Sequence, residues 1–310
     1  MNAILLALAP IFLLILLGGG LRRIGFVPDE FWAAAEKAVY YLFFPCLLFS
    51  SLAGSTIDVG ALLPMALAMV IGVVAAAAAL LAIRPVWGAD GPAFSSIFQG
   101  GTRPNTYVGL AAAFGLLGDE GVTLCAIGIA FVVPTVNIMA VMALVQFANQ
   151  DGAKRPGPLT AARAVVTNPL IIAIALGLVF RYAGLGLPPI LGEMTTILGR
   201  ASLPLGLLAV GAGLDLRAAS RAFRHVALSS TSKLFLVPAI TVACGFLLGV
   251  EGAALTVAVL YNGLPTSASS YVLARQMGGD ATLMAGIITA TTLAGILTLP
   301  IVLSLAELLG

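Results

Sequence analysis

The chain has 310 residues, 60% of them hydrophobic and only 9% charged, where an ordinary soluble domain carries roughly 25% charged residues. The 15 basic and 13 acidic side chains are too few to cover a water-facing surface, and a net charge of +2 leaves no basic or acidic tail to suggest a nucleic-acid partner. Cys46, Cys125 and Cys244 lie far apart with no CxxC, which excludes a disulfide framework or a zinc knuckle. The solvent for this chain is a lipid bilayer.

Charge-free runs cover residues 3–21, 38–57, 59–83, 121–150, 164–180, 234–250, 252–274 and 281–306. A spanning helix needs about 20 apolar residues, so most of these runs supply one crossing each. Two further stretches, 91–118 and 188–214, are long enough but carry Arg103 and the pair Glu193 and Arg200. The chain therefore reads as an all-α membrane protein of ten transmembrane helices with short loops. Its first run reads as an uncleaved helix: Met1-Asn2 provides no basic n-region, and 19 apolar residues exceed what a signal peptide requires.

With ten spans both termini share a side, and basic residues near span ends favour the cytoplasm. Placing the termini outside puts Arg22, Arg23, Lys37, Arg84, Lys154, Arg155, Arg163, Arg217, Arg221, Arg224 and Arg275 inside, which is 11 of the 15. The expected location is a bacterial inner membrane, with both termini periplasmic or extracellular. A cytoplasmic linker at 151–160 then separates two halves, 1–150 and 161–310. Pro10, Arg22 and Pro45 recur as Pro169, Arg181 and Pro204; Asp58 recurs as Asp215, and Pro104 and Asp119 as Pro265 and Asp280. Five spans per half make the second copy enter from the opposite side, a 5+5 inverted repeat of the kind secondary transporters use.

The fourth and ninth spans are interrupted near their middles, at Gly101 with Pro104 and at Gly263 with Pro265. Proline removes an N–H and clashes with the preceding turn, and it suits the first position of a new helix. The pattern predicts half-helices starting at the prolines, with free N–H groups of Asn105, Thr106, Thr266 and Ser267 aimed at the midplane. Such positive ends attract anions. The other reading is a pair of ordinary proline kinks, which membrane helices tolerate.

Arg103 falls within the fourth span, where a lone arginine is unfavourable by about 2.5–3.5 kcal/mol. Its fork of donors suits a substrate carboxylate; a structural ion pair or a snorkelling side chain is the alternative. Asn137, in the fifth span, faces either the same cavity or a neighbouring helix. Lys233, nine residues past Arg224, reads as snorkelling to the cytoplasm. Arg200 and Glu193 read as structural, and His225 as a surface residue.

The segments Arg103-Pro104-Asn105-Thr106-Tyr107-Val108-Gly109-Leu110, Val133-Pro134-Thr135-Val136-Asn137 and Leu264-Pro265-Thr266-Ser267-Ala268-Ser269-Ser270, continuing to Asp280, resemble the auxin efflux carrier family, in particular its bacterial members. The resemblance implies crossing fourth and ninth helices, as in bile-acid symporters and sodium/proton antiporters. It also implies an elevator-like transport domain of spans 3–5 and 8–10 moving against a scaffold of spans 1, 2, 6 and 7, through which a homodimer would form. By the same resemblance Asn105 and Asn137 match positions that contact substrate. The short central loop departs from the plant members' long one.

The function expected is transport of a small organic anion, a carboxylate such as malate or malonate or an auxin-like acid, by alternating access. Arg103, Asn105, Thr106, Asn137, Asn262, Thr266 and Ser267 are the expected substrate-binding residues. No catalytic residue, metal or cofactor is assigned. Proton coupling, sodium coupling and uniport stay open, since the crossover spans carry no interior acid. A sodium-coupled symporter of bile-acid type and a non-transporting receptor for an organic acid are the alternatives. An intramembrane protease lacks its paired aspartates, because Asp58, Asp119, Asp215 and Asp280 all fall at span ends.

Overall fold

The computed structural model describes residues 2–56, 60–148 and 166–309. The linker expected at 151–160 lies outside them, as do Asp58, Lys154, Arg155 and Arg163. Within them the protein is helical, in line with its apolar runs. Helix α1 spans Asn2–Arg23. Helices α2 (Asp29–Ala38) and α3 (Phe44–Ala53) run together through a π-turn at Val39–Phe43, and α4 covers Leu63–Trp87. The short α5 (Gly91–Gly100) gives way to an extended segment and then to α6 (Thr106–Ala143).

Beyond the central gap come α7 (Pro169–Tyr182), α8 (Pro189–Ala212) and α9 (Leu216–Arg221). Helices α10 (Phe223–Thr231) and α11 (Val237–Leu247) join through a second π-turn at Ser232–Leu236. Last are α12 (Gly252–Gly263), another extended segment, α13 (Ser269–Met277) and α14 (Ala281–Leu309).

Among the described residues, six helices are long and apolar enough to cross a membrane: α1, α4, α6 with its extension to Ala148, α8, the joined α10–α11, and α14. Length and composition alone thus do not return the expected ten, and the reasons are local. Asp29 and Glu30 in the first turn of α2, with Glu36 and Lys37 near its end, load that short helix with charge. Helices α5, α12 and α13 are each too short because their spans are broken. Helix α6 is continuous only nominally, since Gly118 at φ 59° and ψ −142° divides it into residues 106–117 and 119–143. That backbone conformation is open essentially to glycine alone.

The packing inverts the rule for water. On α4, Leu63, Leu67, Ile71, Val74 and Leu81 form an exposed apolar stripe at helical spacing, while Met65, Met69, Gly72, Val73 and Ala76 are buried on the other side. Helices hold together by small residues, as expected where lipid competes for every apolar side chain. Helix α1 lies closest to α8, where a Cβ on Gly18 would strike the Leu208 backbone and one on Gly211 would strike the carbonyl of Ile15. Helix α3 packs on α7 and α8, and a Cβ on Gly177 or Gly199 would meet α3 backbone at 3.0 Å. Separately, α4 packs on α11 and α12, and α14 packs on α5, α9, α10, α12 and α13.

Candidate functional site

The two extended segments cross. Pro104 and Thr266 form an antiparallel bridge, in which the Asn105 N–H donates to the Pro265 carbonyl at 2.9 Å and the Ser267 N–H donates to the Arg103 carbonyl at 3.1 Å. A residue before proline is pushed out of the helical region, and Leu264 accordingly sits at φ −60° and ψ 154°. The half-helices therefore begin later than the prolines suggest, α6 at Thr106 and α13 at Ser269. The N–H groups of Asn105 and Ser267 are used in the crossing, and that of Thr266 donates to Thr291 Oγ1 at 3.1 Å. Backbone donors expected to be free at these three positions are thus satisfied, because the segments pair with each other before either turns into helix.

Asn105 caps α6, its Oδ1 accepting from the N–H groups of Tyr107 (3.1 Å) and Val108 (3.4 Å). That fixes the amide, and leaves its buried Nδ2 with no protein partner. A small cavity of about 100 Å³ lies beside it, lined by Tyr40, Arg103, Pro104, Asn105, Thr106, Tyr107, Val133, Val136, Asn137, Asn168, Leu170, Ser267, Ala268 and Ser269. Arg103 is only 8% exposed, and its guanidinium donates to Asn137 Oδ1 at 2.7 Å, Ser269 Oγ at 3.3 Å and Gln99 Oε1 at 3.4 Å. All three acceptors are neutral. Among the described residues the one ion pair is Arg22 with Asp29, at 2.9 Å, far from this cavity in the chain. A buried cation held only by dipoles retains affinity for an anion, and bidentate hydrogen bonding to a carboxylate is what its fork is shaped for.

Of the residues expected at the site, Arg103, Pro104, Asn105, Thr106, Asn137 and Ser267 line the cavity. The Thr106 hydroxyl pairs with Tyr261 Oη at 3.1 Å, and Ser267 Oγ with Ser269 Oγ at 2.9 Å. Gly101, Asn262, Gly263, Pro265 and Thr266 are not among the lining residues. Asn262 is fully buried, and its amide donates to the Met69 carbonyl (2.9 Å) and Thr241 Oγ1 (2.7 Å), tying α12 to α4 and α11. Tyr40, Gln99, Asn168 and Ser269 join the site without having been singled out. Gln99 sits one helical turn before Arg103, and Ser269 two residues after Ser267, which are readable spacings. Tyr40 and Asn168 arrive from elements remote in sequence and carry no local signal.

The opposite side of the crossing is where the carbonyl ends of α5 and α12 meet. Thr266 Oγ1 donates to Gly100 O at 2.6 Å, Ser232 Oγ to Gly101 O at 3.2 Å, and Ser229 Oγ to Ile97 O at 3.0 Å. Lys233 Nζ donates to Asn262 O at 2.7 Å. This corrects the snorkelling expectation for Lys233, whose side chain is 0% exposed and turned toward α12. Distance along the chain from Arg224 carries no information on which face of the helix a side chain takes.

A larger cavity of about 1240 Å³ opens between α1, α3, α6 and α8, with Ser55, Thr56, Asp119 and Glu120 lining it at the end of the molecule that holds Leu6 and Ala7. Arg200 lines it, and among the described residues it forms no ion pair with Glu193. Leu47 and Ala111 also line it, one turn from Phe44 and Tyr107 respectively. Phe44 stacks on Tyr107 with ring centroids 4.7 Å apart and planes inclined by 18°. One ring comes from α3 and one from α6; Tyr107 lines the small cavity and Phe44 is fully buried.

Broken helices that cross at depth around a polar cavity, within an otherwise apolar helical body, define a multi-pass membrane protein with a buried polar site. The chain matches the membrane transport protein family, that of the auxin efflux carriers, over residues 3–303, and it belongs to that family. It is also similar to a protein of Methanothermobacter thermautotrophicus described as an uncharacterized transporter, 24% identical over 294 residues that make up 94% of each chain.

Proposed function

We propose that this membrane transporter carries small organic anions, carboxylates of the size of malonate or malate, by alternating access through the crossing of its two broken helices. The observation that carries the reading is Arg103: a buried guanidinium with neutral partners only, lining a cavity beside the unpartnered Nδ2 of Asn105. A bound carboxylate would take its charge from Arg103 and hydrogen bonds from Asn105, Asn137, Thr106, Ser267 and Ser269. The cavity of about 100 Å³ is well below the roughly 300–1,000 Å³ of pockets for drug-sized ligands. That favours short carboxylates over an aromatic acid of auxin type.

The element order supports ten crossings arranged as a 5+5 inverted repeat. The joined α2–α3 corresponds to α8, α4 to the joined α10–α11, α5 to α12, and the left-handed Gly118 to Gly278 at φ 79°. The packing supports a scaffold of α1, α2–α3, α7 and α8 against a transport body of the remaining helices. The basic residues support termini on the outside, an orientation that would put the large cavity on the outer side. The test is uptake and counterflow of radiolabelled malonate, malate and indole-acetate in proteoliposomes. Counterflow of malonate or malate, with indole-acetate at least about tenfold slower, is the expected result. Should none of the three move, and none shift the melting temperature, the carboxylate assignment falls.

A further inference from the structure

We infer that the ammonium of Lys233 is a built-in cation for the carbonyl side of the helix crossing, filling the place a bound metal cation would take and making the protein's stability, and the cycle proposed above, independent of sodium. The sodium clause rests on the transport reading; the structural role of Lys233 does not.

The electrostatics of a broken helix are two-sided. Each half-helix that ends at the crossing leaves terminal carbonyls and about half a negative charge there, and at membrane depth those groups must be satisfied by protein or by an ion. Helices α5 and α12 both end at this point. Three of the carbonyl partners are hydroxyls, from Thr266, Ser232 and Ser229. The fourth is Lys233, which with Ser229 and Ser232 occupies positions i, i+3 and i+4, a single helical face. Ser232 and Lys233 open the π-turn Ser232–Leu236 and are buried there, Ser232 bonded to the end of α5 and Lys233 to the end of α12. Lys233 is fully buried, and its Nζ donates at 2.7 Å to the carbonyl of Asn262. Asn262 Oδ1, on the same residue, is a buried acceptor with no hydrogen-bond partner. A cation is thus placed where two negative helix ends converge, and among the described residues no carboxylate pairs with it: the one ion pair there joins Arg22 and Asp29. Arg103 serves the cavity on the other side, so the two buried cations divide the crossing between them, one fixed on the protein's own carbonyls and one left for a ligand.

The test uses the melting temperature of the purified full-length protein in detergent, at constant ionic strength, with sodium chloride exchanged for N-methyl-D-glucamine chloride. For the unaltered protein the exchange is expected to move Tm by less than about 1 °C. Lys233→Ala leaves a buried carbonyl unpaired and is expected to lower Tm by about 5 °C, with at least half of the loss recovered by sodium or by propylammonium, which fits the vacated volume. Lys233→Met keeps the volume without the charge and is expected to lose stability with no such recovery. A saturable gain in Tm with sodium for the unaltered protein overturns the proposal. So does a Lys233→Met variant as stable as the unaltered protein, or a loss in Lys233→Ala that neither cation recovers. If neither variant folds, the sodium titration of the unaltered protein decides alone. None of these readings requires a transported substrate, so a failed carboxylate assay and a failed Lys233 assignment remain separate results.

Discussion

Arg103 is expensive at its depth, and on the proposed reading that expense serves the binding of an anion. Its partners Gln99, Asn137 and Ser269 are dipoles rather than charges, so the guanidinium is held in place without being neutralised. Removing a charged hydrogen-bond donor from a ligand typically loses about 1.5–3 kcal/mol, or roughly ten- to a hundredfold in affinity. Arg103→Ala is therefore expected to cut malonate flux at least tenfold while the protein still folds, since no carboxylate is left stranded. Arg103→Lys keeps the charge without the fork and should fall between. Flux in proteoliposomes, with Tm as the folding control, checks both; undiminished flux in Arg103→Ala removes this residue from the mechanism.

The glycines of the two breaks differ in a way that spacing does not disclose. A Cβ on Gly101 would meet Leu80 Cδ1 at 2.8 Å and Ser232 Cβ at 3.2 Å, whereas one on Gly263 would make ordinary contact with Leu299 at 3.4 Å. Neither takes a left-handed backbone. Overpacking typically costs about 1–3 kcal/mol, so Gly101→Ala should lower Tm by several degrees and Gly263→Ala by less than about 2 °C. Equal losses in the two variants would show that the breaks are not packed as described.

At the scale of elements, the contact between α1 and α8 is made of backbone against backbone. A Cβ at Gly211 would run into the Ile15 carbonyl, while one at Gly20, two residues past Gly18 on α1, would meet nothing within 4 Å. Gly211→Ala is expected to destabilise the protein measurably, and Gly20→Ala to leave Tm unchanged or slightly raised, which a thermal-shift comparison resolves. Which parts of the fold were readable follows from how local each cause is. Pro104 and Pro265 announced the breaks because proline acts on its own turn. The pairing of those breaks, Asn105 to Pro265 and Ser267 to Arg103, joins residues some 160 positions apart and leaves no periodic trace. Gly118 was equally silent, since a glycine in an apolar run does not say whether its φ is positive, and the division of α6 went with it. Lys233 was misplaced for the same reason that Asn137 was left open: a single sequence gives depth along a helix, but the face a side chain takes depends on which neighbour packs there.

For the whole molecule, the proposed alternating-access reading turns on the two cavities and the stacked rings of Phe44 and Tyr107. On the proposed division into scaffold and transport bodies, one contributes Phe44 and the other Tyr107, and sliding one against the other would break the stack and expose the small cavity to the large one. The large cavity lies at the end of the molecule that holds Leu6 and Ala7, and it shares no lining residue with the small one. In a background with Cys46, Cys125 and Cys244 replaced by alanine, Thr196→Cys in the large cavity is expected to react with a membrane-impermeant maleimide added outside. Ala268→Cys in the small cavity is expected to resist the same reagent. Adding Phe44→Ala removes half of the barrier, and should raise outside labelling at position 268 by about an order of magnitude, as removal of one partner from a packed aromatic pair opens the layer. If position 268 labels from outside as fast as position 196 in the presence of Phe44, the ring pair is not the partition. If Thr196→Cys reacts only from inside, the orientation taken from the basic residues is reversed.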